Sequence, residues 1–151
     1  MELRDRIATA LKEAMKAREA DRLSTLRLIN AAIKDRDIAL RGEGREAAGE
    51  AELLAILGKM VKQRQESARA YEEGGRVELA EKERAEIAVI EEFLPRQLDA
   101  AEVAAAIDAA VAEVGAGSIR DMGKVMAALK ARYTGQMDFG AVGPMVKERL
   151  G

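Results

Sequence analysis

The chain has 151 residues, a length that suits one compact domain, or a domain with a small satellite, and that folds without disulfide or metal staples. It contains no cysteine, no histidine and no tryptophan, which excludes disulfides, thiolate nucleophiles, His-based zinc, di-iron or haem sites, and a Ser-His-Asp triad. Charged residues make up 34% of the chain, yet the formal net charge is −2, so any surface that attracts nucleic acid must be local.

Residues 1–20 alternate apolar and charged positions at helical spacing, without an apolar run of signal-peptide length. No stretch approaches the roughly 20 apolar residues that span a bilayer. The expectation is a cytoplasmic protein with no membrane contact. The four aromatics, Tyr71, Phe93, Tyr133 and Phe139, are too few and too scattered for base-stacking platforms. Ala, Leu, Glu, Arg and Lys dominate, which predicts an all-α fold.

Leu3, Ile7, Leu11 and Met15 recur every fourth residue and predict an amphipathic helix over 2–18. A second helix, about 21–41, carries Leu23, Leu26, Ile29, Ile33 and Leu40, with Asp21 as its candidate N-cap. Asp37 interrupts that stripe, so the last turns are expected to be less buried. Residues 42–49 hold three glycines and no large apolar residue and read as a flexible loop. A third helix, about 50–72, ends at Gly74-Gly75, and a fourth, about 76–94, carries a Glu-rich outer face.

Pro95 ends that helix, because it lacks an N–H and biases Leu94 out of the helical region. Asp99 with Glu102 makes a capping-box pattern for the next helix, which Gly115-Ala116-Gly117 closes. Ser118 and Asp121 repeat that pattern and open a helix to Tyr133. Asp138 caps a last short helix, which Pro144 should kink or delay. The predicted architecture is an extended domain of about four longer antiparallel helices, 1–94, a hinge at 95–98, and a compact three-helix module, 99–151.

Several of these segments occur together in one known family. Leu26-Arg27-Leu28, Lys62-Gln63-Arg64, Leu94-Pro95-Arg96-Gln97-Leu98, Asp121-Met122-Gly123-Lys124-Val125-Met126 and the final Val-Lys-Glu-Arg-Leu stand in an order and spacing that resemble the GatB/YqeY family. The resemblance covers nearly the whole chain, and Met122–Met126 is its most specific part. A similar module forms the C-terminal tail of the B subunit of tRNA-dependent amidotransferases, where it helps hold the tRNA and carries no transfer chemistry. The resemblance therefore implies an all-α two-part fold and RNA binding. Pro95, Asp121, Met122, Gly123 and Met126 are the motif positions, and Gly123 inside a helix is expected to permit close helix packing, with approach of a sugar–phosphate backbone as the alternative.

The helix 118–133 is the main candidate for RNA contact. Arg120, Lys124, Lys130 and Arg132 face only Asp121 in sequence, and such cations meet phosphates at a geometry that the helix sets. A solvated face is the alternative, with Lys130 and Arg132 complementing the helix dipole. The turn that follows, Thr134-Gly135-Gln136-Met137-Asp138, lacks the basic residue common in the family. A second, weaker basic set is Lys59, Lys62, Arg64 and Arg69, of which Lys62 and Arg69 are seven apart and share a stripe.

No cofactor and no metal site is expected, since the Glu-rich fourth helix has no histidine to complete a di-metal set. No serine sits in a nucleophile motif, and the chain has no ATP-binding motif. It should not be catalytic alone. The expected role is a tRNA- or RNA-binding accessory protein. The alternatives are an auxiliary component of a glutamine-dependent tRNA amidotransferase, a carbon–nitrogen ligase whose subunits would then be partners, or a helical protein–protein adaptor whose contact face would include Ile33.

Overall fold

A computed structural model describes residues 2–151. The fold is all-α, with no strand among the described residues. Seven α-helices run in chain order: α1 (Leu3–Ala17), α2 (Ala20–Gly42), α3 (Glu50–Glu73), α4 (Val77–Glu91), α5 (Ala100–Val114), α6 (Met122–Tyr133) and α7 (Phe139–Leu150). A 3-10 turn, Ile119–Asp121, precedes α6. The chain divides into two compact units, Met1–Leu94 and Pro95–Gly151. None of the described helices is long and apolar enough to cross a membrane.

In the first unit the apolar stripes meet in one core. Leu26, Ile29 and Leu40 of α2, Leu57 of α3 and Ile90 of α4 are fully buried within it, each such side chain contributing about 1.5–3 kcal/mol relative to exposure. α3 and α4 form a helical hairpin around the C-cap Gly74 and Gly75, whose φ of 74° needs a glycine. Met15 departs from its predicted stripe and is 54% exposed, while Leu3, Ile7, Ala10 and Ala14 carry the buried face of α1. Asp21 sits inside the first turn of α2 rather than at its cap, which is Glu19.

Two expectations about the end of α2 are overturned together. Asp37 is buried, and the inner side of the last turns is buried with it, as Leu40 shows. The reason is a partner far away in sequence. Arg4 on α1 binds the carboxylate, which also accepts the Ala48 N–H at 2.8 Å. That bond fixes the end of the glycine-containing segment 42–49, whose Ala48 is part of the core.

α4 ends earlier than predicted, at Glu91. Phe93 and Leu94 donate to Ile90 and Glu91 in a tightened last turn, which brings the chain to Pro95 with Leu94 already out of the helix. Ile33 lies in the core at 3% exposure, so it cannot present a face to a partner.

The second unit has its own core of Ala106, Ile107, Ala110, Val125, Leu129, Met137, Val142 and Val146. The Asp99 capping box forms in full, and Gly115 closes α5 in the left-handed region. Asp138 caps α7 by accepting from Gly140 N–H. Pro144 neither delays nor ends α7, which runs through it. It is exposed, so the backbone bond it removes lies on the solvent side.

Residues 96–98 are fastened within this unit. Leu98 N–H donates to the Gln136 carbonyl at 2.9 Å, Gln97 donates to the Gly135 carbonyl, and Arg96 pairs with Glu102.

Candidate nucleic-acid interface

The segment read as one helix over 118–133 is two pieces. Ser118 accepts from the Arg120 N–H, and Ile119–Asp121 turn as a 3-10 helix before α6 begins. Asp121 does not complete a capping box. Its carboxylate accepts from the Gly117 N–H at 3.1 Å. Arg120 and Lys124 therefore do not share one face of a continuous α-helix, since a 3-10 turn advances three residues per turn.

α6 is positioned by Val125 and Leu129, which are buried among α5 and α7 side chains. Helical periodicity then sets the opposite side to solvent. Gly123, Lys124, Ala127, Lys130 and Ala131 are all exposed there. Gly123, Ala127 and Ala131 follow each other at spacings of four and make a smooth strip between the two lysines. A Cβ at Gly123 would have nothing within 4 Å, so this glycine does not serve helix packing as expected. Gly143 on α7 does come close to α6: a Cβ there would lie 3.8 Å from Met122 Cε. Met122 and Met126 are half-buried against the core.

The four cations divide into two kinds. Arg132 is paired with Glu113 of α5, at 2.7 and 2.9 Å from its two oxygens. This carboxylate is 19 residues away in sequence, outside the local charge balance of 118–133. Among the described residues, no carboxylate pairs with Arg120, Lys124 or Lys130, and these three remain as open positive charge.

The turn after α6 is occupied by the second unit's own chain. It turns the carbonyls of Gly135 and Gln136 toward residues 97 and 98. A carbonyl can only accept, so these groups offer nothing to a phosphate. Pro95 precedes this attachment and takes no part in the charged face.

The second basic set lies on α3, in the first unit. Lys62 and Arg69 are exposed on one stripe, and Lys62 already engages another group. Arg64 leaves the set, because it is half-buried and donates to Glu86 of α4 at 3.1 Å and to the Met60 carbonyl. On α4, Glu86 is paired with Arg64 of α3, and Arg84 is paired with Glu72 of α3. Among the described residues no group of three or more acidic side chains gathers as metal ligands.

An open cleft of about 370 Å³ between α5 and α7 is lined by Ala104, Ile107, Asp108, Met145, Glu148 and Arg149. Arg149 and Asp108 pair with each other, and the lining holds no nucleophile of the serine or cysteine type.

A model of the Yqey-like protein family matches residues 4–150. Among curated proteins, the chain is similar to "Altered inheritance of mitochondria protein 41, mitochondrial" of Clavispora lusitaniae (strain ATCC 42720), with 40% identity over 84 residues. The match takes 56% of this chain and 46% of the relative, so it spans about half of that protein's length.

Proposed function

The chain belongs to the YqeY-like family, and on that premise we propose that it is an accessory protein that binds structured RNA, tRNA first, through the solvent face of α6. One observation carries this reading. Lys124 and Lys130 stand without carboxylate partners on either side of a strip of glycine and alanine. Small side chains let a sugar–phosphate backbone come close, and the lysines then reach phosphate oxygens as flexible point charges. Arg120 extends the charge at the N-terminal end of the helix. Arg132 would first have to leave Glu113, so its contribution is smaller. Lys62 and Arg69 form a separate, secondary surface.

A titration of tRNA at low salt tests this. The wild-type chain should bind, and Lys124→Glu with Lys130→Glu should abolish binding while the melting temperature holds. Absence of binding by the wild type, or equal binding by the variant, ends the proposal.

A second reading is an auxiliary role beside a glutamine-dependent tRNA amidotransferase. It is supported by the likeness of Met122–Met126 and its surroundings to the tail of that enzyme's B subunit. Co-elution of the purified chain with the amidotransferase subunits supports it; separate elution at micromolar concentration opposes it. The proposed location is the cytoplasm, and the relative is, by its name, mitochondrial.

A further inference from the structure

The outer side of α2 has no part in the RNA reading. Leu26, Ile29, Ile33 and Leu40 bury the inner side. On the outer side Leu28 is 46% exposed and Ile38 61% exposed, and Ser24, Ala31 and Asp35 are exposed with them. These five positions, 24, 28, 31, 35 and 38, alternate in steps of four and three. That is the a/d seam of a heptad.

Arg27, Lys34 and Arg41 stand seven apart. They occupy one g-type flank of this seam at each successive heptad, about 10 Å apart along the axis. All three are exposed. Among the described residues Arg27 and Lys34 have no ion pair, and Arg41 lies near enough to Asp37 to favour its charged form. The other flank, Ala32 and Ala39, is uncharged.

We infer that this face of α2 docks an acidic amphipathic helix of another protein. The seam takes apolar side chains and the Arg27–Lys34–Arg41 row takes carboxylates recurring every seventh residue. Charge decides against a second copy of this chain. A parallel copy would set Ala32 and Ala39 against the cations, and an antiparallel copy would set cation against cation, which costs affinity. RNA is also the poorer fit. Phosphates leave Leu28 and Ile38 in water. Ser24 and Asp35 are polar positions in the seam, of the kind that fix the register of a partner helix at a cost in stability.

The probe is a synthetic three-heptad peptide with Leu at a and d and Glu at e and g, labelled for fluorescence anisotropy, with a Lys-for-Glu control. The full chain should bind the Glu peptide and not the Lys peptide, and binding should weaken as salt rises. Arg27→Glu with Lys34→Glu should reduce affinity on the order of tenfold or more, and Leu28→Ser with Ile38→Ser should do the same. All four side chains are exposed, so unchanged melting temperatures should accompany both losses.

Four results overturn the inference: no binding of the Glu peptide, equal binding of both peptides, or binding that survives both double variants. The fourth is a change of occupant. That is either a dimer of the chain that Ile38→Ser dissolves, or a loss of tRNA affinity in the Arg27/Lys34 variant equal to that of the Lys124/Lys130 variant.

Discussion

Arg4 and Asp37, 33 positions apart, meet as a bidentate ion pair at 2.9 and 3.1 Å. Arg4 also donates to the Ala48 carbonyl at 3.0 Å, while the Ala48 N–H donates to Asp37. One carboxylate thus ties α1, the last turns of α2 and the segment leading to α3. Burial of a carboxylate is costly unless its oxygens are satisfied, and here both are.

Asp37→Ala removes the acceptor of a buried backbone N–H and the partner of Arg4. The expected loss is about 1–3 kcal/mol, read as a lower urea midpoint. Asp37→Asn should lose less, because it keeps one acceptor oxygen. In Asp37→Ala, trypsin should cut faster after Arg41 or Arg45, since segment 42–49 loses its anchor. Unchanged cleavage and an unchanged midpoint would show that the segment is held by apolar packing alone.

Acid should unfold the chain in a way these pairs explain. The hydrogen bonds from Arg4, then that from Ala48, hold the Asp37 carboxyl below the usual range. The hydrogen bonds from Arg96, then that from Asp99 N–H, hold Glu102 at about 2. In both, the folded pKa lies below the unfolded value. Their stabilisation is therefore fully present above the ordinary carboxylate range near pH 4 and is lost as pH falls through it toward the folded values. Glu102 is exposed at the surface, so salt should shrink its share. The stability gap between wild type and Asp37→Asn should be constant near neutrality and narrow below about pH 4. A gap that does not change down to pH 2 contradicts this assignment.

Gly123 separates the fold from the proposed interface. A methyl group there meets open space, and alanine is the better helix former by up to about 1 kcal/mol. Gly123→Ala should raise the melting temperature and leave tRNA binding intact. Ala127→Glu should leave the melting temperature unchanged and weaken tRNA binding, because it sets a negative charge on the strip. A stability loss in either variant means that this face is covered in the folded chain.

The local grammar of the fold was legible in sequence. The Asp99–Glu102 box, the helix stop at Gly115 and the periodic stripe of α2 depend on neighbours within one or two turns, and they formed as predicted. The errors share a cause. Asp37 looked like a break in a stripe because its partner lies on another helix. Arg132 looked like an open cation because Glu113 is on α5, and Arg64 because Glu86 is on α4. Met15 had the right spacing but fell at the margin of its stripe. At Ser118–Asp121 the residues of a capping box were present, but Asp121 bonded Gly117 instead, and a 3-10 turn resulted. The row of Arg27, Lys34 and Arg41 was present in the sequence at spacing seven. It gained meaning only when the structure showed which side of α2 is buried.

In the proposed function the open lysines of α6 hold RNA by its phosphates. The salt dependence of tRNA affinity tests it most directly. Log affinity should fall linearly with log salt, and Lys124→Ala and Lys130→Ala should each lower the slope by about one. Arg132→Ala should change the slope less, because Glu113 holds that side chain. A slope that both lysine variants leave unchanged, or a wild-type chain that does not bind tRNA at low salt, would contradict the account.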